Sequence, residues 1–462
     1  MLNVRALSAL TLLQVLCGVS VGKEDLNESR KTRHASPGRF VVKLHRQRVP
    51  VEGDAEVMSY KTIYFGTIYL GSPIKQEFSV VFDTGSGHVI VPSIDCESLT
   101  CRIHRQYNRR ASLHAADIDY DGTLVLPGQE RDQVNVAFGT GEVTGQLASD
   151  RLCLSNEPGE IRDQDNCIQL RIVMAIEMTH DPFHAFAFDG VLGLGLDGLT
   201  LTPEFSFFGQ MLAQGQVARS TFAVFLAEGD DEQSEICIGG HSQERLQSEL
   251  MWAPVALPEL GYWQVRINRV RVGNKTLDLC NDGECRAVVD TGTSLLAVPV
   301  DFAEGLDEEL TDSLRDPPSS RERGVDCRDV EGALLHFDLD GFTLTLTAGD
   351  YARQAVMRDE SITESGTRAA GQPQGTQCRP TLMPIEMPAP IGPKLFIWGE
   401  PVLRKYYTVY DLAEKRIGFG LAAHSLAVQA LQAEHGARSR GQGQLQEPAP
   451  AARRPLLKPL LL

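Results

Sequence analysis

Two aspartates stand where acid–base chemistry could be done. Asp83 lies in "VVFDTGSGHVIVPS" (Val80 to Ser93) and Asp290 in "AVVDTGTSLLAVPV" (Ala287 to Val300). Each closes an apolar run, opens an Asp-Thr-Gly triplet and is followed by a second apolar run. A lone aspartate between strands is an ordinary turn residue. Here the same phrase occurs twice, 207 residues apart, and each copy has a second echo downstream. Gly193 of "GVLGLG" lies 110 residues beyond Asp83, and Gly399 of "KLFIWGE" lies 109 residues beyond Asp290. Matched motifs at matched offsets indicate a duplicated unit. If a pseudo-twofold axis brings the two turns together, their carboxyls share a low-dielectric site and cannot both ionise, so one raised pKa is expected. Such a pair can take a proton from a water while polarising a carbonyl.

The neighbouring residue types suit that task. Gly85 and Gly292 allow a tight turn whose amide approaches the carboxylate. Ser86 and Thr293 offer hydroxyls to the outer oxygens, and Thr84 and Thr291 can brace one turn against the other. His88 reads as a turn residue and not as a catalyst. Neither a metal nor another cofactor is expected. Ser86 does not sit in a G-x-S-x-G elbow, which argues against a serine nucleophile.

The elements that must hold these turns are β-strands. Segments such as "YFGTIYLG", "QEFSVVF", "LRIVMAI", "TFAVFLA", "EICIGG", "GYWQVRINRVRVG" and "FTLTLTAG" alternate with Gly and Asp turns. The last alternates Thr and Leu at period two, as a half-buried strand does. Only Pro203 to Gln214 and Val300 to Leu314 read as short helices. The fold class is therefore all-β. Asp312 to Arg323, charged and containing Pro and Ser, reads as a surface insertion.

The chain has 462 residues and a formal net charge of −17. Its acidity argues against a nucleic-acid partner. Residues 1–22 read as a signal peptide, with Arg5 ahead of an apolar run from Ala6 to Val19. Residues 23–38 form a polar leader or short prosegment. No later stretch reaches the ~18 apolar residues of a transmembrane span. From His424 the composition shifts, and residues 423–462 read as a disordered basic tail. There Arg438, Arg440, Arg453, Arg454 and Lys458 face Glu434 and Glu447. Of ten cysteines, Cys17 leaves with the signal. An oxidising compartment favours disulfides for the rest. Spacing suggests Cys96–Cys101, Cys280–Cys285, Cys153–Cys167 and the longer loop Cys327–Cys378, leaving Cys237 as a buried free thiol. Asn27 and Asn274 stand in glycosylation sequons.

From about Tyr60 to Ala422 the chain resembles the pepsin-like aspartic proteases. Besides the two Asp-Thr-Gly motifs, "FDGVLGLG" (188–195), "GYWQV" (261–265) and "YYTVYDLAEKRIGFG" (406–420) occur in the family's order. The resemblance implies a bilobal fold of two pseudo-twofold-related β lobes, 39–245 and 246–422, with an active-site cleft between them. It implies Asp83 and Asp290 as the catalytic dyad, with Ser86 and Thr293 as hydrogen-bonding supports. The 96–101, 280–285 and 327–378 disulfides fall where the family has its own. It also implies a hairpin flap, "VNVAFGTGEVTGQL" (134–147), with Phe138, Gly139, Thr140 and Gly141 at its tip. The family usually has Tyr where Phe138 stands and its hydrogen-bonding partner Trp where Ile90 stands. Both polar partners are replaced together, which strands neither. The leader is shorter than the family's basic prosegment, and "KLHRQR" (43–48) reads as the first strand of the core. The implied function is an endopeptidase acting on extended polypeptides at apolar residues. It would be a monomer in the secretory pathway, extracellular or in an acidic vesicle. The alternative is a catalytically inactive binding protein on the same scaffold.

Overall fold

The structure, a computed structural model, describes residues 38–53, 56–138, 141–155, 166–230, 232–315, 327–358 and 373–424. The signal segment, nearly all of the polar leader, Asn27, most of the Asp312–Arg323 insertion and the tail beyond His424 lie outside the described residues.

The duplication read from the sequence is a duplication of strand pairing. In the first half the relevant strands are β1 (Gln76–Asp83), β2 (Val89–Pro92), β3 (Cys167–Met178) and β4 (Gly190–Gly193). In the second they are β5 (Arg286–Val289), β6 (Leu296–Pro299), β7 (Leu382–Ile385) and β8 (Leu395–Trp398). The order β1-β4-β2-β3 is repeated as β5-β8-β6-β7. In each half the aspartate's strand runs parallel to the strand that ends at the echoing glycine. Asp83 stands opposite Gly193, and Val289 stands opposite Trp398. Each following strand then pairs antiparallel to the same glycine strand. Each aspartate strand lies inside its sheet, between one parallel and one antiparallel neighbour, and a strand covered on both faces needs a continuous apolar sequence. Val80, Val81 and Phe82 are buried accordingly, as are Ala287, Val288 and Val289.

The two halves share a floor. A run of antiparallel strands joins Met251–Pro254, Arg416–Leu421, Tyr406–Asp411, Thr221–Phe225, Ser234–Ile238 and Phe40–Gly53. The strand Tyr406–Asp411 thus pairs with the first half, with Phe222 opposite Tyr410. Phe222 and Tyr410 stack at 4.6 Å, and Trp263 packs edge-on to Tyr410 at 5.3 Å. The indole N–H of Trp263 donates to the Leu194 carbonyl at 2.8 Å, while the Leu194 amide donates to the Asp83 carbonyl at 2.7 Å. The floor is thereby tied to the first aspartate turn.

"KLHRQR" lies in the strand Phe40–Gly53. The helix Phe207–Ala213 is capped by Ser206 and follows a 3-10 turn at Pro203–Phe205; the helix Val300–Ser313 also forms where expected. In "FTLTLTAG", Leu344 and Leu346 are buried and the alternating Thr343 and Thr345 are half-buried. One segment differs. "GYWQVRINRVRVG" is two strands in two sheets, Gln264–Arg266 beside β5 and Arg269–Val272 beside Leu335–Asp338. The chain changes sheet at Asn268, whose amide donates to the Asp338 carbonyl.

All four disulfides form: Cys96–Cys101, Cys153–Cys167, Cys280–Cys285 and Cys327–Cys378. Cys237 is free and buried. Asn274 is exposed beside the turn at Gly273. No helix among the described residues is long and apolar enough to cross a membrane.

Candidate active site

The two Asp-Thr-Gly turns meet, and reciprocal hydrogen bonds lock them. The Thr84 hydroxyl donates to the Val289 carbonyl at 2.7 Å and accepts from the Thr291 amide at 3.0 Å. The Thr291 hydroxyl donates to the Phe82 carbonyl at 2.6 Å and accepts from the Thr84 amide at 3.0 Å. Both side chains are buried. Threonine suits this position because one hydroxyl donates and accepts at once. Serving the other turn's backbone, each threonine satisfies groups that would otherwise be stranded in the core.

The lock brings the carboxyls together. The Gly85 amide donates to Asp83 Oδ1 at 2.9 Å, and the Gly292 amide to Asp290 Oδ1 at 2.8 Å. A side chain on Gly85 would place its Cβ 2.9 Å from Asp290 Oδ1. One on Gly292 would place its Cβ 2.5 Å from Asp83 Oδ1 and 3.3 Å from Asp290 Oδ1. Both carboxyls therefore crowd the same small volume, and glycine is required because nothing larger fits. The echoing glycines work likewise. A Cβ on Gly193 would lie 2.5 Å from the His88 amide nitrogen, and one on Gly399 would collide with the Thr293 carbonyl.

The site is symmetric in backbone and asymmetric in charge. Asp83 is buried, whereas Asp290 is half-buried. Burial first, and then the negative charge of Asp290, push the Asp83 carboxyl well above the usual carboxylate range. The Ser86 hydroxyl and the Gly85 amide pull it partly back. The supports differ too. Thr293 donates to Asp290 Oδ2 at 2.6 Å, while the buried Ser86 hydroxyl, although beside Asp83, makes no aligned hydrogen bond. The outer-oxygen support expected of both residues is thus formed as a hydrogen bond on the Asp290 side. Tyr262 was not singled out from sequence. Burial first, and then the charges of Asp290 and Asp83, raise the pKa of its phenol.

The flap sequence forms a hairpin, Gln133–Phe138 against Gly141–Cys153, with Phe138 opposite Gly141. Gly139, Thr140 and the ring of Phe138 lie outside the described residues. Gly141 rests on the segment after β3: a Cβ there would lie 2.5 Å from the Asp181 carbonyl. Ile90 is buried in an apolar cluster with Val143, Met178, Phe183 and Phe188. These side chains, with Val191, line an apolar pocket beside the hairpin. No group of three or more His, Cys, Asp or Glu side chains among the described residues could hold a metal ion.

A family model for eukaryotic aspartyl proteases matches residues 63–422. Pepsin A of Sus scrofa is 29% identical over 401 residues, covering 86% of this chain and 91% of the relative. Vacuolar protease A of Neurospora crassa is 31% identical over 363 residues, 78% of each chain. Cathepsin E of Rattus norvegicus is 30% identical over 365 residues, 78% of this chain and 80% of the relative. The chain belongs to the eukaryotic aspartyl protease family.

Proposed function

We propose that this chain is an aspartic endopeptidase whose dyad is Asp83 and Asp290. The observation that carries the reading is the reciprocal threonine lock, which forces two carboxyls into one crowded site. Asp83, with its raised pKa, holds the shared proton. Asp290 is the carboxylate, its charge stabilised by the Gly292 amide and the Thr293 hydroxyl. A water between them loses a proton to the carboxylate and attacks the scissile carbonyl, which the acid polarises. This division of labour between paired carboxyls is well known for the family. Gly85, Gly292, Thr84 and Thr291 fix the geometry, and Ser86 offsets part of the rise in the Asp83 pKa.

The substrate is an extended polypeptide. It is cleaved next to apolar residues, a preference that goes with the family reading. Phe138, Gly139, Thr140 and Gly141, with Ile90, are the substrate-binding residues this reading assigns to the hairpin. Residues 39–245 and 246–422 form the two lobes, and the chain acts as a monomer in the secretory pathway, outside the cell or in an acidic vesicle. The four disulfides fit an oxidising route. The test is cleavage of a denatured polypeptide at acidic pH, blocked by a statine-type peptide inhibitor. Intact substrate after incubation with a folded, correctly processed chain overturns the reading.

A further inference from the structure

The repeat carries a chemical inequality at His88 that the dyad does not use. Position for position, His88 in the first turn corresponds to Leu295 in the second. An apolar residue serves the fold at Leu295, whereas His88 makes a specific bond. Its Nε2 accepts from the Leu201 amide at 3.0 Å, and its ring packs edge-on against Phe205 at 5.4 Å. Its own carbonyl accepts from the Gly193 amide at 2.9 Å. The histidine therefore ties the first aspartate turn to the segment Leu196–Phe205.

That segment matters for the dyad. Its Leu196 amide donates to the Gly261 carbonyl at 2.8 Å, next to Tyr262. A Cβ on Gly87 would meet the Leu199 carbonyl, and one on Gly198 would lie 2.5 Å from the Glu259 carbonyl. The segment is thus wedged between the Asp83 turn and the stretch that carries Tyr262. We infer that His88 is a positioning residue of this protease. In its neutral form it straps Leu196–Phe205 against the Asp83 turn, and protonation of its imidazole releases the strap.

The bond has a fixed polarity. An imidazole that accepts at Nε2 carries its single proton on Nδ1, and a second proton at Nε2 would face the Leu201 N–H donor to donor. Burial pushes the His88 pKa down from 6.5 to about 4, and burial is its sole cause. Charged groups also stand on the packed elements. Arg171 lies 5.9 Å from the centre of the Phe205 ring and pairs with Glu204 at 3.5 Å. Asp197 heads the segment, and the dyad carboxyls stand beyond Ser86. Because the folded-state pKa is below the ordinary one, the unfolded chain binds the proton first. The strapped state is fully favoured above pH 6.5 and loses stability as pH falls toward about 4.

The inference rests on the proposed protease activity, and its test separates the two. His88→Gln places an amide oxygen near the position of Nε2 and does not titrate. His88→Leu copies the second repeat and removes the acceptor. On a peptide substrate, His88→Gln is expected to keep kcat/KM near its optimum within about threefold, while its acid limb extends below that of the wild type. His88→Leu is expected to lose roughly tenfold at the optimum. Hydrogen exchange of peptide 196–205, read without any substrate and corrected for the pH dependence of the intrinsic rate, is expected to lose protection from pH 6 to pH 3 in the wild type and not in His88→Gln. A wild type that cleaves with the same acid limb as His88→Gln overturns the strap and leaves the protease reading intact. A wild type that cleaves nothing overturns the protease reading, and the exchange data then decide the strap alone. Exchange in 196–205 that responds to pH equally in both proteins, or a His88→Leu variant equal to the wild type, also overturns it.

Discussion

Replacing Thr84 with valine keeps the shape and deletes the hydroxyl, which isolates the lock between the two turns. The lost group donates to the Val289 carbonyl and accepts from the Thr291 amide. Thr84 is fully buried, so water cannot substitute for either bond. Stranding a buried donor and a buried acceptor costs about 1–3 kcal/mol each, and an isosteric change adds no cavity, so a loss of about 3 kcal/mol is expected. The damage extends to the reaction, because Asp83 precedes Thr84 directly. A misplacement of order 1 Å at a reacting group costs ~10²-fold in rate. Urea unfolding at pH 5 measures the stability, and cleavage of a fluorogenic peptide measures kcat. Thr84→Ser restores the hydroxyl and is expected to recover most of both. A Thr84→Val chain within 0.5 kcal/mol of the wild type, or a Thr84→Ser chain as damaged as Thr84→Val, would refute the lock as the element that sets the dyad.

The raised pKa of Asp83 has a cost in stability. In the window above the ordinary value of 3.8 the folded chain holds a proton that the unfolded chain has released, so stability falls as pH rises through it. Asp83→Asn is therefore expected to melt higher than the wild type at pH 7, with the gap closing toward pH 3; a gap independent of pH contradicts this. Gly292→Ala drives a methyl group to 2.5 Å from Asp83 Oδ1 and is expected to cost at least ~10²-fold in kcat, measured against an unchanged far-ultraviolet circular dichroism spectrum. Burial pushes the Cys237 thiol up to about 11. A chain lacking residues 1–22 should show no reactive thiol at pH 8 when folded and one when unfolded, counted with a thiol reagent. At the flap, Phe138→Ala should lower kcat/KM, and Phe138→Tyr with Ile90→Trp should recover more than the single changes predict, with a coupling of about 0.5–3 kcal/mol in a double-mutant cycle.

Features repeated in the sequence were the most legible. The 207-residue repeat marked both aspartates and their echoing glycines at matched offsets and suggested that Thr84 and Thr291 brace the turns; the pairing of Asp83 with Gly193 came with the strand register. Cysteine spacing found the four disulfides and left Cys237 over. What depended on contacts between distant residues was not legible. His88 looked like a turn residue because its acceptor role depends on Leu201, 113 residues away. The unequal roles of Ser86 and Thr293 follow from how each half buries its own turn, and their similar hydroxyls conceal this. "GYWQVRINRVRVG" has one continuous strand-like pattern, yet it splits between two sheets because the backbone at Asn268 is captured by Asp338. The GYWQV motif was visible as a landmark, but the tie from Trp263 to Leu194 and the place of Tyr262 beside the aspartates required the fold.

The central claim is that Asp83 and Asp290 act as one shared-proton pair. Steady-state cleavage by Asp83→Asn and Asp290→Asn, each compared with the wild type at its optimum, tests it most directly. Each variant replaces a titrating carboxyl with a group of the same shape. The account predicts that either change alone lowers kcat at least ~10³-fold while the fold survives, since residues acting as a unit fail together. Retention of more than a few per cent of wild-type activity in either variant contradicts it.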